Sequence, residues 1–224
     1  FFLNKKHKYS IMVSHIFYIN LNEDTERAAK YKWLRQYQRF PALSREDVPE
    51  YIDKKMISMW NIKRSKHLGR CACFMSHIAL LIHIVKHKLN DVLILEDDAI
   101  KCDTIPTNYK QDGITYLGGL FHQNKMMDQS PVQIWRQDQG INEKSNEFRI
   151  LMTMAYIVPT YEIANKMLDY FTKRKRYSAI DIMFNDLPFP KYYQFPACFI
   201  EEGAQSTIDP DKKTHANKFY ISER

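Results

Sequence analysis

The sequence lacks the cysteine pattern of a zinc finger or of a disulfide-stabilised scaffold. Its four cysteines are Cys71, Cys73, Cys102 and Cys198, and no two of them form a CxxC pair. Cys71 and Cys73 are too close in sequence to suggest a bridge between them. Reduced cysteines in a cytoplasmic protein are the simplest interpretation, so we expect a cytoplasmic location.

The sequence also lacks long apolar runs and a dinucleotide fingerprint. No apolar run approaches the ~18 residues of a membrane span, so we expect no transmembrane segment. A basic cluster at residues 5–8 interrupts any apolar run there, so we expect residues 1–11 not to be a signal peptide. No GxGxxG follows the first predicted strand. We interpret residues 1–11 as an N-terminal extension that is either disordered or added ahead of a natural start at Met12. We expect residues 12–224 to form one domain.

The composition is that of a globular protein with a basic surface. The 224 residues are 45% hydrophobic, which is enough to form a sizeable core. The formal net charge is +7. A basic surface favours anionic partners, which include nucleotide phosphates, nucleic acid and membrane surfaces.

The most informative stretch is residues 91–99, Asp-Val-Leu-Ile-Leu-Glu-Asp-Asp-Ala. A short run that is apolar throughout predicts a strand buried on both faces. Glu96, Asp97 and Asp98 follow at its carboxyl end, the edge at which open α/β sheets bind ligands. Three crowded carboxylates are tolerated where a divalent cation balances them, and such a cation can bind a diphosphate. An acidic turn facing water explains the same residues equally well.

The other predicted elements complete an α/β pattern. We expect a helix over residues 73–88 with Phe74, Ile78, Leu81, Ile82 and Val85 inward, and a helix near 178 with Ser178 as its N-cap. Residues 122–147 predict a loop with a hairpin. The remaining elements are a strand over 15–21, a helix from Asn22 to about Gln38, a loop over 41–49, a helix over 50–62, strands over 114–117 and 148–158, a helix over 159–173 and a last strand within 192–200 that Pro196 places at a sheet edge.

Four segments, in order along residues 14–208, carry a family resemblance. They are residues 16–21 followed by Arg27; residues 68–77, similar to Gly-x-x-Gly-Cys-x-x-Ser-His with Ala72 at the second glycine; residues 93–99 with Glu-Asp-Asp; and residues 155–157 followed by Ala164 and Asp181. Together they resemble glycosyltransferase family 25, which includes bacterial lipopolysaccharide galactosyltransferases and procollagen galactosyltransferases. Large DNA viruses also encode such enzymes, some of which glycosylate capsid proteins. A viral origin would place the protein in the host cytoplasm.

The resemblance implies a GT-A-like fold: one α/β domain with a central mixed, mostly parallel sheet flanked by helices. It implies an inverting transfer of a hexose from a nucleotide-sugar, a UDP-sugar, to a glycan or glycoprotein acceptor. Mn²⁺ or Mg²⁺ would bind Asp98, with Glu96 as a further ligand or on the ribose, and Asp181 would be the general base. Nucleic acid is not an expected partner. The donor-binding residues would be Asn20, Leu21, Arg27, Ser76, His77, Glu96 and Asp97.

Two other functions fit the residues. A metal-dependent nuclease or phosphoesterase would explain the basic charge and the acids, although such sites gather acids and histidines from several segments. A catalytically inactive nucleotide-sugar-binding module would keep the fold without the reaction. For Asp181, the first turn of a helix also favours a carboxylate for electrostatic reasons alone.

Overall fold

A computed structural model describes residues 13–31, 36–56, 64–123, 132–136, 141–145, 148–195 and 197–201. The helices are α1 Thr25–Ala29, α2 Glu50–Lys55, α3 Arg64–His87, α4 Tyr161–Lys173 and α5 Ile180–Asn185. The strands are β1 His15–Asn20, β2 Tyr37–Pro41, β3 Val92–Glu96, β4 Ala99–Lys101, β5 Ile114–Tyr116, β6 Leu120–Gln123, β7 Val132–Arg136, β8 Ile141–Ser145, β9 Phe148–Leu151, β10 Ala155–Val158, β11 Lys191–Phe195 and β12 Phe199–Glu201.

Eight strands form the central sheet, in the order β2-β1-β3-β10-β5-β11-β7-β8. Six of them run in one direction, whereas β10 and β8 are antiparallel to their neighbours. One face packs on α3, α4 and α5, and α1 lies on the other. This arrangement confirms the predicted α/β class with a mixed, mostly parallel sheet.

The strands predicted at residues 15–21 and 91–99 are confirmed as β1 and β3. They pair in parallel, with Ile16 opposite Leu93 and Ile19 opposite Glu96. Residues 92–95 of β3 are fully buried, because the two faces of the sheet both carry apolar layers. The buried run therefore ends at the carboxyl edge, where the three acids begin.

The helix predicted from Asn22 to Gln38 is wrong. The helix α1 covers only Thr25–Ala29, and Tyr37–Pro41 forms the strand β2, parallel to β1. Residues 32–35, in the middle of the predicted helix, lie outside the described residues. Strand pairing with β1 overrides a helical pattern that rested on local sequence alone.

The strong helix begins nine residues earlier than predicted, since α3 covers Arg64–His87. Its buried side includes Leu80, Leu81 and Ile84, whereas Ile82 is 52% exposed and was wrongly placed inward. By length and composition alone, residues His67–His87 could cross a membrane. Polar residues interrupt the apolar ones in this stretch, so the sequence contains no continuous apolar run that marks it. Half of that stretch is buried inside the fold, and α3 packs on α4 and α5, as a core helix does.

The helix predicted over residues 159–173 is confirmed as α4, whose N-cap Thr160 accepts a hydrogen bond from the Ile163 amide at 3.3 Å. The strand predicted over 148–158 is instead two strands, β9 and β10, which belong to different sheets. The chain turns between them at Met152, whose φ is 70°. The Ser178 cap is also wrong, because α5 begins after Ala179 without a side-chain cap.

The hairpin predicted within residues 122–147 is confirmed as β7 and β8. Because β7 also pairs with β11, the last predicted strand lies inside the sheet, between β5 and β7, and its assignment to an edge is wrong. Pro196, on which that assignment rested, lies outside the described residues. A polar segment extended the sheet, which hydrophobic periodicity did not signal.

Lys191, the first residue of β11, is fully buried. Its Nζ donates to the carbonyl oxygens of Asn185 at 3.0 Å and Leu187 at 3.2 Å, at the end of α5. Burial lowers the pKa of Lys191 to about 8. The folded protein therefore binds fewer protons than the unfolded chain between about pH 8 and its ordinary pKa of 10.5.

Stability is consequently expected to rise with pH through this window. Relative to Lys191→Met, the wild type should gain up to roughly 3 kcal/mol of unfolding free energy between pH 7.5 and pH 10. Urea denaturation at both pH values measures it, with the exposed Lys166→Met as control. A difference between wild type and Lys191→Met that does not change with pH would contradict the burial of a charged ammonium.

Candidate active site

The candidate site lies at the carboxyl edge of β1 and β3. Asn20 ends β1, Glu96 ends β3, and the turn after β3 carries Asp97 and Asp98. The antiparallel strand β10 begins at this same edge, because Ala155 pairs with Leu95. Three neighbouring strands therefore meet at this edge, of which the sequence predicted β1 and β3.

Asp97 is held by two of the predicted donor-binding residues. Its Oδ2 accepts a hydrogen bond from Asn20 Nδ2 at 2.9 Å, and its Oδ1 lies 2.7 Å from Arg27 Nη1. Burial raises the pKa of Asp97, and the bonds to Asn20 and Arg27 only partly offset this. Arg27 is itself buried, and Asp24 contacts it from the other side at 3.4 Å. The three predicted residues thus fix the acidic turn to the end of β1.

Glu96 is held from the opposite side. Its Oε1 accepts a hydrogen bond from Thr153 Oγ1 at 2.5 Å and lies 3.4 Å from His77 Nε2. His77 is 1% exposed, and its Nδ1 lies 2.8 Å from the hydroxyl of Tyr156. A neutral His77 satisfies both contacts when Nε2–H donates to Glu96 and Nδ1 accepts from Tyr156. Burial opposes the charged form of Glu96, but the His77 and Thr153 bonds outweigh it, and the pKa of Glu96 is lowered.

Asp98 differs from both neighbours because its Oδ1 is buried and accepts no hydrogen bond from any residue that the structure describes. Burial, together with the charges of Glu96, Asp97 and Glu201, raises the pKa of Asp98 to about 7. Glu201 comes close because β12 pairs with β4, which places it opposite Ala99. An unpartnered buried carboxylate oxygen among other acids is a site that a cation would stabilise.

Cys73 lies close to His77 and Glu96, and its pKa responds to the charge of Asp181. Ligand atoms of Cys73, His77 and Glu96 all lie within 4.8 Å of one another. Burial raises the pKa of Cys73 well above its usual value, and the charges of Glu96 and Asp181 add to this shift. The thiol therefore stays protonated. The charge of Asp181 acts on the same thiol as that of Glu96, and the role of Asp181 as a general base stays a prediction.

Asp181 lies in the first turn of α5 and is half-buried. Its Oδ2 accepts a hydrogen bond from the Met152 amide at 3.2 Å, and its Oδ1 accepts one from the Ile182 amide at 2.8 Å. Asn185 anchors the same helix, since it exchanges hydrogen bonds with the backbone of Ile150. The bend after β9 and the start of α5 are thereby held together beside the acids.

Two predicted donor-binding residues make other contacts. Ser76 is buried in α3, where its hydroxyl donates to the Ala72 carbonyl at 2.7 Å and accepts from the Leu43 amide at 2.9 Å. It therefore anchors the loop that follows β2. Leu21 is half-buried, and its carbonyl accepts a hydrogen bond from the Asp24 amide at 3.2 Å. Both residues therefore stabilise the backbone around the site through these hydrogen bonds.

Sequence reasoning missed several residues that hold the site. Thr153 lies within a stretch read as one apolar strand, so nothing marked its hydroxyl as a partner of Glu96. Arg39 lies in the strand that was predicted as helix, and its guanidinium donates to Asn20 Oδ1 at 3.0 Å and to Asn22 Oδ1 at 2.8 Å. Tyr31 donates to the Ala99 carbonyl at 2.5 Å, behind the acidic turn. Only the correct strand pairing would have revealed these contacts.

The three carboxylates therefore have different environments, and this decides what they can do. Glu96 and Asp97 are fixed by neighbours, whereas Asp98 retains an unpartnered oxygen. Oxygen ligands of this kind suit Mg²⁺ or Mn²⁺, which bind diphosphates in many proteins. The oxygen atoms present at this edge thus fit the chemistry of the predicted metal.

Two comparisons with known proteins bear on this site. The sequence model of a family described as "Glycosyltransferase family 25 (LPS biosynthesis protein)" matches residues 13–184. A protein of Drosophila pseudoobscura pseudoobscura named "Glycosyltransferase 25 family member" is 29% identical over 107 residues. That stretch is 41% of this chain and 16% of the fly protein, so the chain spans a small part of that relative. The family match contains Asn20, the acid trio and Asp181.

Proposed function

The chain belongs to glycosyltransferase family 25, and from this premise we propose that it transfers a hexose from a UDP-sugar to a hydroxyl group of a glycan or glycoprotein. The observation that carries the proposal is the unpartnered, buried Oδ1 of Asp98 at the carboxyl edge of β3. Family membership alone indicates glycosyl transfer. The sheet edge, where Asp98 has an unpartnered oxygen and where neighbours fix Glu96 and Asp97, adds a site at which a metal ion could hold the donor diphosphate.

We assign Mn²⁺ or Mg²⁺ to Asp98, with Glu96 as a further ligand. Such an ion, when bound, neutralises charge on the leaving nucleoside diphosphate. The protein's own contribution is to hold the carboxylates in place. Asn20 and Arg27 hold Asp97, while His77 and Thr153 hold Glu96 in its ionised form. Little reorganisation is then needed when the donor binds.

The proposed reaction is one in-line displacement at the anomeric carbon, with inversion. The acceptor oxygen forms a bond to that carbon as the bond to the diphosphate oxygen breaks, and the nucleoside diphosphate leaves. Asp181 takes the proton of the acceptor hydroxyl, which is the role of a general base. Support for this role is the hydrogen bond that Asp181 accepts from Met152, the residue before the Glu96 partner Thr153, and the anchoring of its helix by Asn185.

The direct test is a panel of UDP- and GDP-sugars incubated with the protein, with and without Mn²⁺. We expect slow, metal-dependent release of UDP from one sugar, faster when the correct acceptor is added. Cleavage of a labelled oligonucleotide instead would indicate the nuclease alternative. Metal-dependent binding of a UDP-sugar without turnover, even with acceptors from glycan and protein arrays, would indicate the inactive binding module.

Replacing Asp181 with Asn separates its chemical role from its structural one. The amide oxygen can still accept the Met152 hydrogen bond, whereas the NH2 group cannot accept the one from the Ile182 amide, and the side chain can no longer take a proton. We expect kcat for transfer to fall by roughly 10²- to 10⁴-fold while the Kd for the UDP-sugar changes less than about threefold. The variant Asp186→Asn, at the C-cap of the same helix, serves as control. Equal loss of donor binding and kcat would show that Asp181 only shapes the site.

A further inference from the structure

A second cluster of metal-ligating side chains lies away from the acids, between α2 and α3. It consists of Asp53 on α2 and of His67 and Cys71 on α3, and we refer to it as the α2–α3 cluster. One ligand atom from each residue lies within 4.8 Å of the other two. Cys71 is six residues before His77, which is roughly 9 Å along a helix. The cluster is therefore separate from the proposed donor site.

The residues of the α2–α3 cluster are shielded from water. His67 is 5% exposed and Cys71 is 0% exposed. His67 Nε2 lies 3.0 Å from Asp53 Oδ1, whose side chain is 15% exposed. The other ring nitrogen, Nδ1, is buried and has no hydrogen-bond partner within the part of the chain that the structure describes. Nε2, which faces Asp53, is therefore the ring nitrogen that this cluster offers to an ion.

The donor set has a clear metal preference. An imidazole, a thiolate and a carboxylate are ligands of Zn²⁺, whereas Mg²⁺ and Mn²⁺ prefer oxygen ligands alone. The i,i+4 spacing places His67 and Cys71 on the same face of α3, and Asp53 approaches that face from α2. Charge also favours a cation there, because Asp53 is acidic and Zn²⁺ binding converts the Cys71 thiol to thiolate with release of a proton.

We propose that Asp53, His67 and Cys71 form a structural zinc site that joins α2 to α3. Its role is structural because the ligands are buried and form a group separate from Cys73, His77 and Glu96. The ion would fix the short helix α2, which follows the loop that Ser76 anchors. Neither the family match nor the sequence pattern assigns such a site, since its ligands come from two elements and no CxxC marks it.

The test is metal content and cobalt spectroscopy on the whole protein. Protein purified without chelators should contain one equivalent of zinc. After exchange with Co²⁺, a sulfur-to-cobalt charge-transfer band should appear in the near ultraviolet. The near-isosteric variant Cys71→Ser should lose the band, and His67→Ala should weaken Co²⁺ binding at least ~100-fold. Circular dichroism of each variant checks that it is folded.

Two controls distinguish the α2–α3 cluster from the candidate active site as the place where the metal binds. Cys102→Ser removes an exposed thiol and should leave the band unchanged. Cys73→Ser removes the thiol near His77 and Glu96, and should also leave it unchanged. A band lost in Cys73→Ser but kept in Cys71→Ser would overturn the proposal and place the soft metal in the candidate active site. Absence of a band in folded wild type at millimolar Co²⁺ would overturn it as well.

Discussion

Asp98→Asn is expected to abolish metal-dependent donor turnover and, in the absence of metal, to make the protein more stable. Turnover should fall at least ~10³-fold, because this corresponds to the roughly 4 kcal/mol that a metal ion can contribute to charge stabilisation. The gain in stability has a separate cause. Burial and neighbouring acids disfavour the charged form of Asp98, and asparagine removes that charge while keeping the side-chain shape.

The sign of the stability change follows from the pKa of Asp98. In the folded protein this pKa is raised to about 7 from 3.8, so the folded state binds more protons than the unfolded chain in that interval. Stability therefore falls as pH rises from about 4 to 7. At pH 8 the variant should exceed the wild type in unfolding free energy by a few kcal/mol, with roughly 4 kcal/mol as an upper limit. At pH 5.5 the difference should be smaller.

Urea denaturation in EDTA at both pH values measures this difference, and the exposed Asp169→Asn is the matched control. Added Mn²⁺ should stabilise the wild type and leave Asp98→Asn unaffected. An Asp98→Asn protein that is less stable than wild type at pH 8 without metal would mean that the carboxylate has a partner. A variant that retains more than about a tenth of wild-type turnover would remove Asp98 from the metal site.

Arg27→Met is expected to destabilise the protein by about 3–5 kcal/mol, because it leaves Asp97 buried without its ion-pair partner. The side chains of Arg27 and Asp97 are 10% and 14% exposed, and Nη1 lies 2.7 Å from Oδ1. A loss of this size is a large fraction of the 5–15 kcal/mol that holds typical domains folded. Asn20 still donates to Asp97 in the variant, but it cannot neutralise the charge.

The double variant Arg27→Met, Asp97→Asn identifies the cause. It should recover at least half of the lost unfolding free energy, since both charges are then absent. Chemical denaturation at pH 8 measures Arg27→Met, Asp97→Asn and the double variant, and Arg45→Met, in the loop after β2, is the control. Additive losses in the double variant would show that Arg27 acts through packing rather than through the Asp97 charge.

The sequence was sufficient for the parts of the fold in which a buried run determines the structure. Residues 92–95 of β3 are apolar in every position, and only a strand covered on both faces accommodates them. The following acids must then lie at the sheet edge, whereas the choice of Asp98 among them came from the family resemblance. The amphipathic α4 was recognised for the same reason, since Thr160 and the inward residues define it locally.

The sequence was insufficient where distant pairing decides the outcome. Strand β2 forms because Tyr37 lies beside Ile16, and strand β11 is internal because β7 adds to the sheet beyond it. The break at Met152 divides one apolar stretch between two sheets, and it places Thr153 against Glu96. Local propensity carries no information about these neighbours, so the fixed positions of Glu96 and Asp97 could not be predicted.

The sheet order has a consequence for how the chain acquires its active form during synthesis. Strand β3 lies between β1 and β10, so the ribosome must add Ala155–Val158 before β3 has both neighbours. Glu201 reaches Asp98 later still, with the pairing of β12 and β4. A nascent chain released before that point would expose an unpaired apolar strand, which favours aggregation. We therefore expect this chain to fold slowly and late in synthesis. We also expect it to depend on chaperones more than a protein whose contacts are mostly local in sequence.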